Sequence, residues 1–371
     1  MNPLEGASTI EQAMMDKARD AKAPINGSIE LTPLCNMSCE MCYVRMDRGD
    51  MEKQGRLRTA EEWLEIGRQM RDAGTLFLLL TGGEPLLYPE FKEVYLGLKQ
   101  LGMILTVNTN GTLLDDEWAD FFAAHKPRRI NLTLYGHDSG VYRSLCHYEQ
   151  GFDRAVNAVK LLKERSIDVR INVSAAKANA DSIDRILDIC EELDTFAIVD
   201  PYMVPAVRER STPYSMQARL DPEKAAGLRI SSMKRVFGEE MFAMRVARSL
   251  FEVENFAGVK QENGMSCYAA NCSFAINWQG NMRPCVVSSE PSVSVFDEGF
   301  MPAWKQVCSF CEHLRINVKC LNCRLRPLCS TCPVTAKIET GTYEGISDYL
   351  CRYAEESYRL LKLEAERINN D

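Results

Sequence analysis

Between residues 28 and 200, short apolar runs alternate with longer stretches whose apolar residues recur at helical spacing. The runs 28–32, 76–81, 103–108, 129–134, 168–173 and 196–199 predict six strands. A helix is predicted from Thr59, where Glu62 completes a capping-box pattern and Trp63, Leu64, Ile66 and Met70 make an apolar stripe. Phe91, Val94, Tyr95 and Leu98 mark another helix. Phe152, Ala155, Val156, Val159, Leu161 and Leu162 mark a further one, as do Ile183, Ile186, Leu187, Ile189 and Cys190. Six strand–helix alternations predict an α/β fold, a parallel sheet with covering helices. An open, TIM-like (β/α)6 partial barrel fits, since a full eight-stranded barrel needs ~250 residues. Residues 205–258 read as a connector, broken early by Pro205, Pro213 and Pro222, with Asp221-Pro222 as the N-cap and first turn of a helix. From Cys267 onward the rhythm changes to short turns and cysteines.

Composition narrows the class. The chain has 371 residues, 46% hydrophobic and 26% charged, which suits a globular protein of one large domain with an extension, or of two domains. A net charge of −8 argues against a nucleic-acid-binding surface. No apolar run approaches the ~20 residues of a membrane span. The charged first 26 residues lack the apolar core of a signal peptide, so a cytoplasmic location is expected. Fifteen cysteines, an odd number, then point to metal ligands rather than disulfides. Three lie at 35–42, ten lie from Cys267 to Cys351, and Cys146 and Cys190 lie between. Four histidines, His125, His137, His147 and His313, exclude a histidine-rich metal site.

Two motifs carry chemistry. Cys35, Cys39 and Cys42 follow the first predicted strand in a Cys-x3-Cys-x2-Cys-Tyr pattern ending at Tyr43. Three thiolates on a four-iron cluster leave one iron open, whereas a closed electron-transfer cluster takes four cysteines. Gly82-Gly83-Glu84-Pro85 follows the second strand, and Asn108-Thr-Asn-Gly-Thr112 the third. In parallel α/β folds, sites form at these C-terminal strand ends.

The pair of motifs resembles the radical S-adenosylmethionine (SAM) superfamily, over about residues 28–352. The resemblance implies that SAM chelates the open iron and that an electron from the cluster cleaves it to a 5′-deoxyadenosyl radical. It implies cofactor contacts from Gly82 and Gly83, whose bare backbone would approach the methionine moiety, and from Glu84, an acceptor for its amino group. Thr133 on the fourth strand and Arg143 are further SAM contacts implied, although Arg143 also reads as a surface ion pair. Tyr43 would pack near the adenine or serve as an ordinary core aromatic.

The C-terminal order is Cys267, Cys272, Gly280-x4-Cys285, Cys320-x2-Cys323-x5-Cys329-x2-Cys332 and Cys351. Cys-x2-Cys pairs also bind zinc, and the region offers ligands for two zinc sites. The order resembles the SPASM extension of radical SAM peptide modifiers, which implies two auxiliary four-iron clusters. The first would take Cys267, Cys272, Cys285 and Cys332, and the second Cys320, Cys323, Cys329 and Cys351. Two residues separate Cys329 from Cys332 where the family commonly has three. Cys308 and Cys311 stay unassigned and read as ordinary helix thiols. The expected organisation is a lead-in over 1–26, the barrel over 27–235, a connector over 236–264 and the SPASM region over 265–371.

The resemblance implies an enzyme acting on a residue of a ribosomally made peptide, giving a thioether or carbon–carbon crosslink or another oxidative change. It also implies a reductase with flavodoxin or ferredoxin as electron donor. Formylglycine-forming sulfatase maturases carry an aspartate after the third ligand of the first auxiliary cluster. Here Val286 stands there, which removes that general base. Small-metabolite modification, and a non-catalytic iron–sulfur sensor or scaffold, are the other readings. A peptide-docking domain of roughly 80 residues does not fit ahead of the first strand, so a separate docking protein or direct binding at the barrel mouth is expected. Asp200, at the end of the sixth strand, is a base candidate that could equally cap a loop.

Overall fold

The computed structural model describes residues 9–208, 218–258 and 265–370. Pro213 and part of the connector lie outside the described residues. Among the described residues a single nine-stranded sheet organises the fold, in the order β6-β5-β4-β3-β2-β1-β7-β8-β9. Strands β1 (Asn26–Glu30), β2 (Phe77–Thr81), β3 (Ile104–Thr109), β4 (Arg129–Thr133), β5 (Val169–Ser174) and β6 (Phe196–Asp200) are all parallel. Each falls within two residues of its predicted span. Sequential order, parallel pairing and helices between strands make the open barrel expected of the alternation.

Packing follows from alternation along each strand. Leu78, Leu80, Leu105, Val107, Ile130, Leu132 and Ile171 are buried in the main core under the covering helices. Each such side chain contributes roughly 1.5–3 kcal/mol through lost apolar exposure. Their neighbours Thr106, Asn108, Asn131, Thr133, Arg170, Asn172 and Ser174 lie on the other face and are only half-buried. Helix Ala60–Asp72 begins as the sequence predicts: Thr59 Oγ1 accepts from Glu62 N, and Glu62 Oε2 accepts from Thr59 N at 2.8 Å. It buries Trp63, Ile66 and Met70.

The C-terminal region continues the barrel's sheet. Strand β7 (Ser273–Ile276) pairs parallel with β1, and β8 (Asn281–Arg283) and β9 (Val293–Ser294) follow antiparallel. Gly27 makes the junction possible: a Cβ there would lie 2.2 Å from the Phe274 ring. Phe274 in turn stacks edge-on against Phe300 at 5.0 Å, on the helix Phe300–Glu312. The segment Pro222–Glu254 is two helices meeting at Gly238, whose φ of 72° breaks the helical path. Its first residue follows Asp221 as expected, without a side-chain capping bond. Helix Asp348–Asn370 lies along it and buries Leu350, Tyr353 and Leu361.

Candidate active site

The loop after β1 is closed at its stem, where Met46 N donates to Pro33 O at 3.0 Å. It leans on the C-terminal end of helix Ser139–Cys146: Ser38 N donates to Cys146 O (2.9 Å) and Glu40 N to Leu145 O (3.1 Å). Cys35 Sγ accepts from Met37 N (3.4 Å) and Asn110 Nδ2 (3.7 Å), and Cys42 Sγ accepts from Arg45 N (3.2 Å). Such N–H donors stabilise thiolate sulfur and tune an iron–sulfur centre. Burial, then the Glu84 carboxylate, pushes the Cys35 thiol well up. Cys39 is raised first by a hydrogen bond with the Cys146 thiol and then by burial, while Tyr135 pulls it down. Without metal these thiols stay protonated at neutral pH, so loading iron must release their protons.

The β2 loop is fastened to the same stem. Gly83 N donates to Thr32 O (2.7 Å) and Glu84 N to Leu34 O (2.9 Å). A Cβ on Gly82 would lie 2.4 Å from Thr32 O, and one on Gly83 2.4 Å from Leu34 O. The glycines thus serve close approach of two protein loops. Glu84 is fully buried. Its Oε1 accepts from Leu86 N (3.1 Å) and Thr109 Oγ1 (2.7 Å), and its Oε2 from Asn110 N (2.8 Å). Burial lifts its carboxyl to about 7, against these three donors. Asn110 then closes the circuit, with Nδ2 donating to Asn36 Oδ1 at 3.0 Å. Three strand-end loops therefore interlock around the cysteines.

Tyr43 is a junction. The guanidinium of Arg208 stands 5.1 Å from its ring centre, and Arg208 pairs with buried Glu30 at 2.8 Å. Burial raises the Tyr43 hydroxyl, which also feels both Cys42 and Cys285. Thr133 sits half-buried at the end of β4, opposite Asn172. Arg143 is exposed and pairs with Glu149 at 3.4 Å, on the surface rather than among the cysteines. Asp200 lies opposite Ser174, and its Oδ1 accepts from Tyr202 N at 3.2 Å, the bond of a loop cap. It retains exposed surface, yet surrounding protein raises its carboxyl.

The C-terminal cysteines form two neighbourhoods. Burial raises Cys267, and pushes Cys285 up to about 12, with Cys332 adding to both. Cys332 caps the helix Pro333–Thr340, and its sulfur accepts from Thr335 N at 3.4 Å. In the second neighbourhood, burial raises Cys320, Cys329 and Cys351. Cys320 and Cys351 add to Cys329, and Cys320 and Cys323 add to Cys351. Cys272 is fully buried beside the N-terminal helix Thr9–Ala21, its Sγ donating to Met15 O at 3.7 Å. Among the described residues, no group of three or more His, Cys, Asp or Glu is set to hold a single metal ion. A four-iron cube instead spreads its thiolates over separate irons.

Residues 29–190 match the family model of the radical SAM superfamily. The chain carries a radical SAM domain. Domains of this family use SAM and a 4Fe–4S cluster. The sporulation killing factor maturation protein SkfB of Bacillus subtilis is 26% identical over 177 residues, which are 48% of this chain and 42% of SkfB. The chain thus matches less than half of that relative's length. The AdoMet-dependent heme synthase of Methanosarcina barkeri is 21% identical over 85% of this chain and 92% of its own. Among solved structures, Streptococcus suis SuiB bound to precursor peptide SuiA aligns with a TM-score of 0.69, at 21% identity, over 91% of this chain and 78% of SuiB. The anSMEcpe structure with bound AdoMet also gives 0.69, at 17% identity, over 94% and 100%. These likenesses establish the partial-barrel fold.

In the sequence, Asn36 and Cys146 carry no assigned role, and Thr109 and Asn110 are marked only as part of the Asn108–Thr112 run at a strand end. The Asn-Thr-Asn-Gly-Thr run at the third strand end was the available signal, because Asn and Thr at such a turn seek local hydrogen bonds.

Proposed function

We propose that the protein is a radical SAM enzyme with three four-iron clusters, acting on a residue of a ribosomally made peptide to form a crosslink or another oxidised product. The observation that carries the reading is the cysteine loop of β1 tied to Gly83 and Glu84 within the matched domain. Cys35, Cys39 and Cys42 would hold the SAM-binding cluster. When bound, the reduced cluster and SAM would supply radical chemistry for hydrogen abstraction from the substrate. The chain's part is to shape the site: Glu84 and Asn110 fix the loop, Thr133 and the half-buried asparagines offer polar contacts on the open face, and Tyr43 stands near both Cys42 and Cys285. Cys267, Cys272, Cys285 and Cys332, and Cys320, Cys323, Cys329 and Cys351, would hold two further clusters, which would supply electron-accepting capacity. The peptide reading draws support from the named roles of SkfB and from the SuiA peptide on SuiB. A separate docking protein, a flavodoxin or ferredoxin donor and a cytoplasmic location belong to the same proposal. No helix among the described residues is long and apolar enough to cross a membrane.

A second reading, oxidation of a small metabolite, is favoured by one observation. The heme synthase match covers most of both chains. The test is anaerobic incubation of reconstituted protein with SAM and dithionite. Wild type is expected to release 5′-deoxyadenosine and Cys39→Ala to release none. Product formation by Cys39→Ala, or about four iron atoms per chain with zinc in place of about twelve, would refute the proposal. A co-expressed precursor peptide lighter by two hydrogen masses would select the peptide reading.

A further inference from the structure

The net charge of −8 is unevenly spread. Residues 313–338 hold Arg315, Lys319, Arg324, Arg326 and Lys337 and no aspartate or glutamate. The same stretch carries Cys320, Cys323 and Cys329. Elsewhere, arginines are matched to acids: Arg165 to Asp116 and Asp120, Arg235 to Asp188 and Glu191, Arg352 to Glu223. Here they find carbonyls and a ring instead. Arg315 donates to the carbonyls of Glu312 and Leu314, both at 2.9 Å, and Arg326 to that of Thr331 at 2.6 Å. Glu312, the acid just before the stretch, is taken by Lys22.

The cations share a face with the cysteines. Arg324 follows Cys323, and its guanidinium stands 5.0 Å from the ring centre of Tyr358. Lys362 Nζ stands 5.7 Å from the same ring. On the helix Asp348–Asn370, Cys351, Tyr358 and Lys362 recur at helical spacing and so lie on one side. Glu355 lies on that side too and offsets one charge. Arg315, Lys319, Cys323, Arg324 and Lys362 are exposed, and Val318, 66% exposed, gives the face an apolar spot. Leu328 anchors the segment to the small core of Phe242 and Leu361, apart from the main core that takes Met37 and Met41 of the β1 loop.

We propose that this face docks an acidic one-electron carrier protein, which exchanges an electron with a cluster held by Cys320, Cys323, Cys329 and Cys351. The proposal rests on the reading of this region as one that holds an auxiliary cluster. A patch of one sign speeds encounter with an opposite partner by about 10- to 1,000-fold at low salt. It suits the small, transient interfaces that electron carriers make. A peptide substrate has to reach the open face of the barrel, whereas this face includes exposed Cys323, so a carrier fits it better than a leader peptide. In the exchange the carrier is oxidised by one electron as the cluster is reduced by one, and no atom or proton moves.

The experiment uses the reconstituted full chain and an acidic flavodoxin. Calorimetry with oxidised flavodoxin gives the affinity, and anaerobic stopped-flow with its fully reduced form gives the rate of electron transfer. Lys319→Glu with Arg324→Glu should weaken binding and slow flavodoxin oxidation by about tenfold or more at low salt, the gap closing at high salt. Lys160→Glu with Arg185→Glu, the same change of charge at exposed positions on the barrel's helices, should alter neither. Iron per chain and dithionite-driven release of 5′-deoxyadenosine should match wild type in the variants compared. If reversal beside the cysteines costs iron, Arg315→Glu with Lys362→Glu carries the same test. The surface is refuted if wild type does not bind flavodoxin, if reversal leaves both readouts unchanged, or if the loss persists at high salt. Tight binding of poly-glutamate or of single-stranded RNA to this face, with flavodoxin ignored, assigns it to another partner and refutes it as well. Wild type that binds only about four iron atoms, or none, defeats the cluster reading beneath the proposal, a result distinct from these.

Discussion

Glu84 shows how one buried side chain organises three loops. Its ordinary value is 4.5 and its folded value about 7, raised by burial. A raised acid is stabilising relative to its ionised form only while protonated, so its contribution is complete below 4.5 and lost as pH climbs through 7. In cluster-free protein, the stability of wild type relative to Glu84→Gln should therefore fall by about 3 kcal/mol between pH 4 and pH 8. Chemical unfolding at the two pH values measures it, and a pH-independent difference would contradict the assignment. Gly83 fails differently. Alanine there meets Leu34 O and Pro33 O at 2.4 and 2.7 Å. Overpacking of this kind costs about 1–3 kcal/mol. Gly83→Ala should lower the unfolding midpoint and the iron retained by the β1 loop, both read on one preparation.

At the scale of elements, the six barrel strands were legible because each is a compact apolar run between turn residues. The polar open face is legible too: Asn131 and Asn172 each stand between buried aliphatic residues, and Asn108 stands between buried Val107 and Thr109. Parallel strands covered on both faces read as near-continuous apolar runs, so alternation marks a face left open. The extension β7–β9 was not legible. Its strands are four, three and two residues long, too short for a period. Their pairing with β1 depends on a glycine some 250 residues away in sequence, Gly27 under Phe274. The cysteine order groups Cys320, Cys323, Cys329 and Cys351 but carries no sign of the direction in which Cys272 points, since contacts with the helix Thr9–Ala21 decide that. The element joint to probe is Arg219, which holds Glu339 through Nη2 (2.5 Å) and Nη1 (3.1 Å), both side chains buried. Its guanidinium lies 3.4 Å from the Tyr349 ring centre. Arg219→Met strands a buried carboxylate, and loss of about 3 kcal/mol is expected. Thermal unfolding reads it, and Glu339→Gln in the same background should recover part of the loss.

Across the whole molecule, the parts differ in what holds them. The barrel has a large apolar core. The helical turns Val318–Leu321 and Arg326–Leu328, which carry or flank Cys320, Cys323 and Cys329, bury no residue of their own. Segments that cannot pack depend on metal for their order. Removing iron with a chelator should speed hydrogen exchange over 318–332 by at least tenfold while β2–β5 keep their protection. Uniform loss across the chain would show instead that the barrel also leans on iron. The seam between Gly27 and Phe274 has a last consequence. Because the β1 loop and the segment carrying Cys285 spring from one continuous sheet, the separation of Cys42 and Cys285 is set when the chain folds, and on the proposed reading that separation is the span an electron would cross. A partner of the kind proposed would then change how readily charge moves rather than how far.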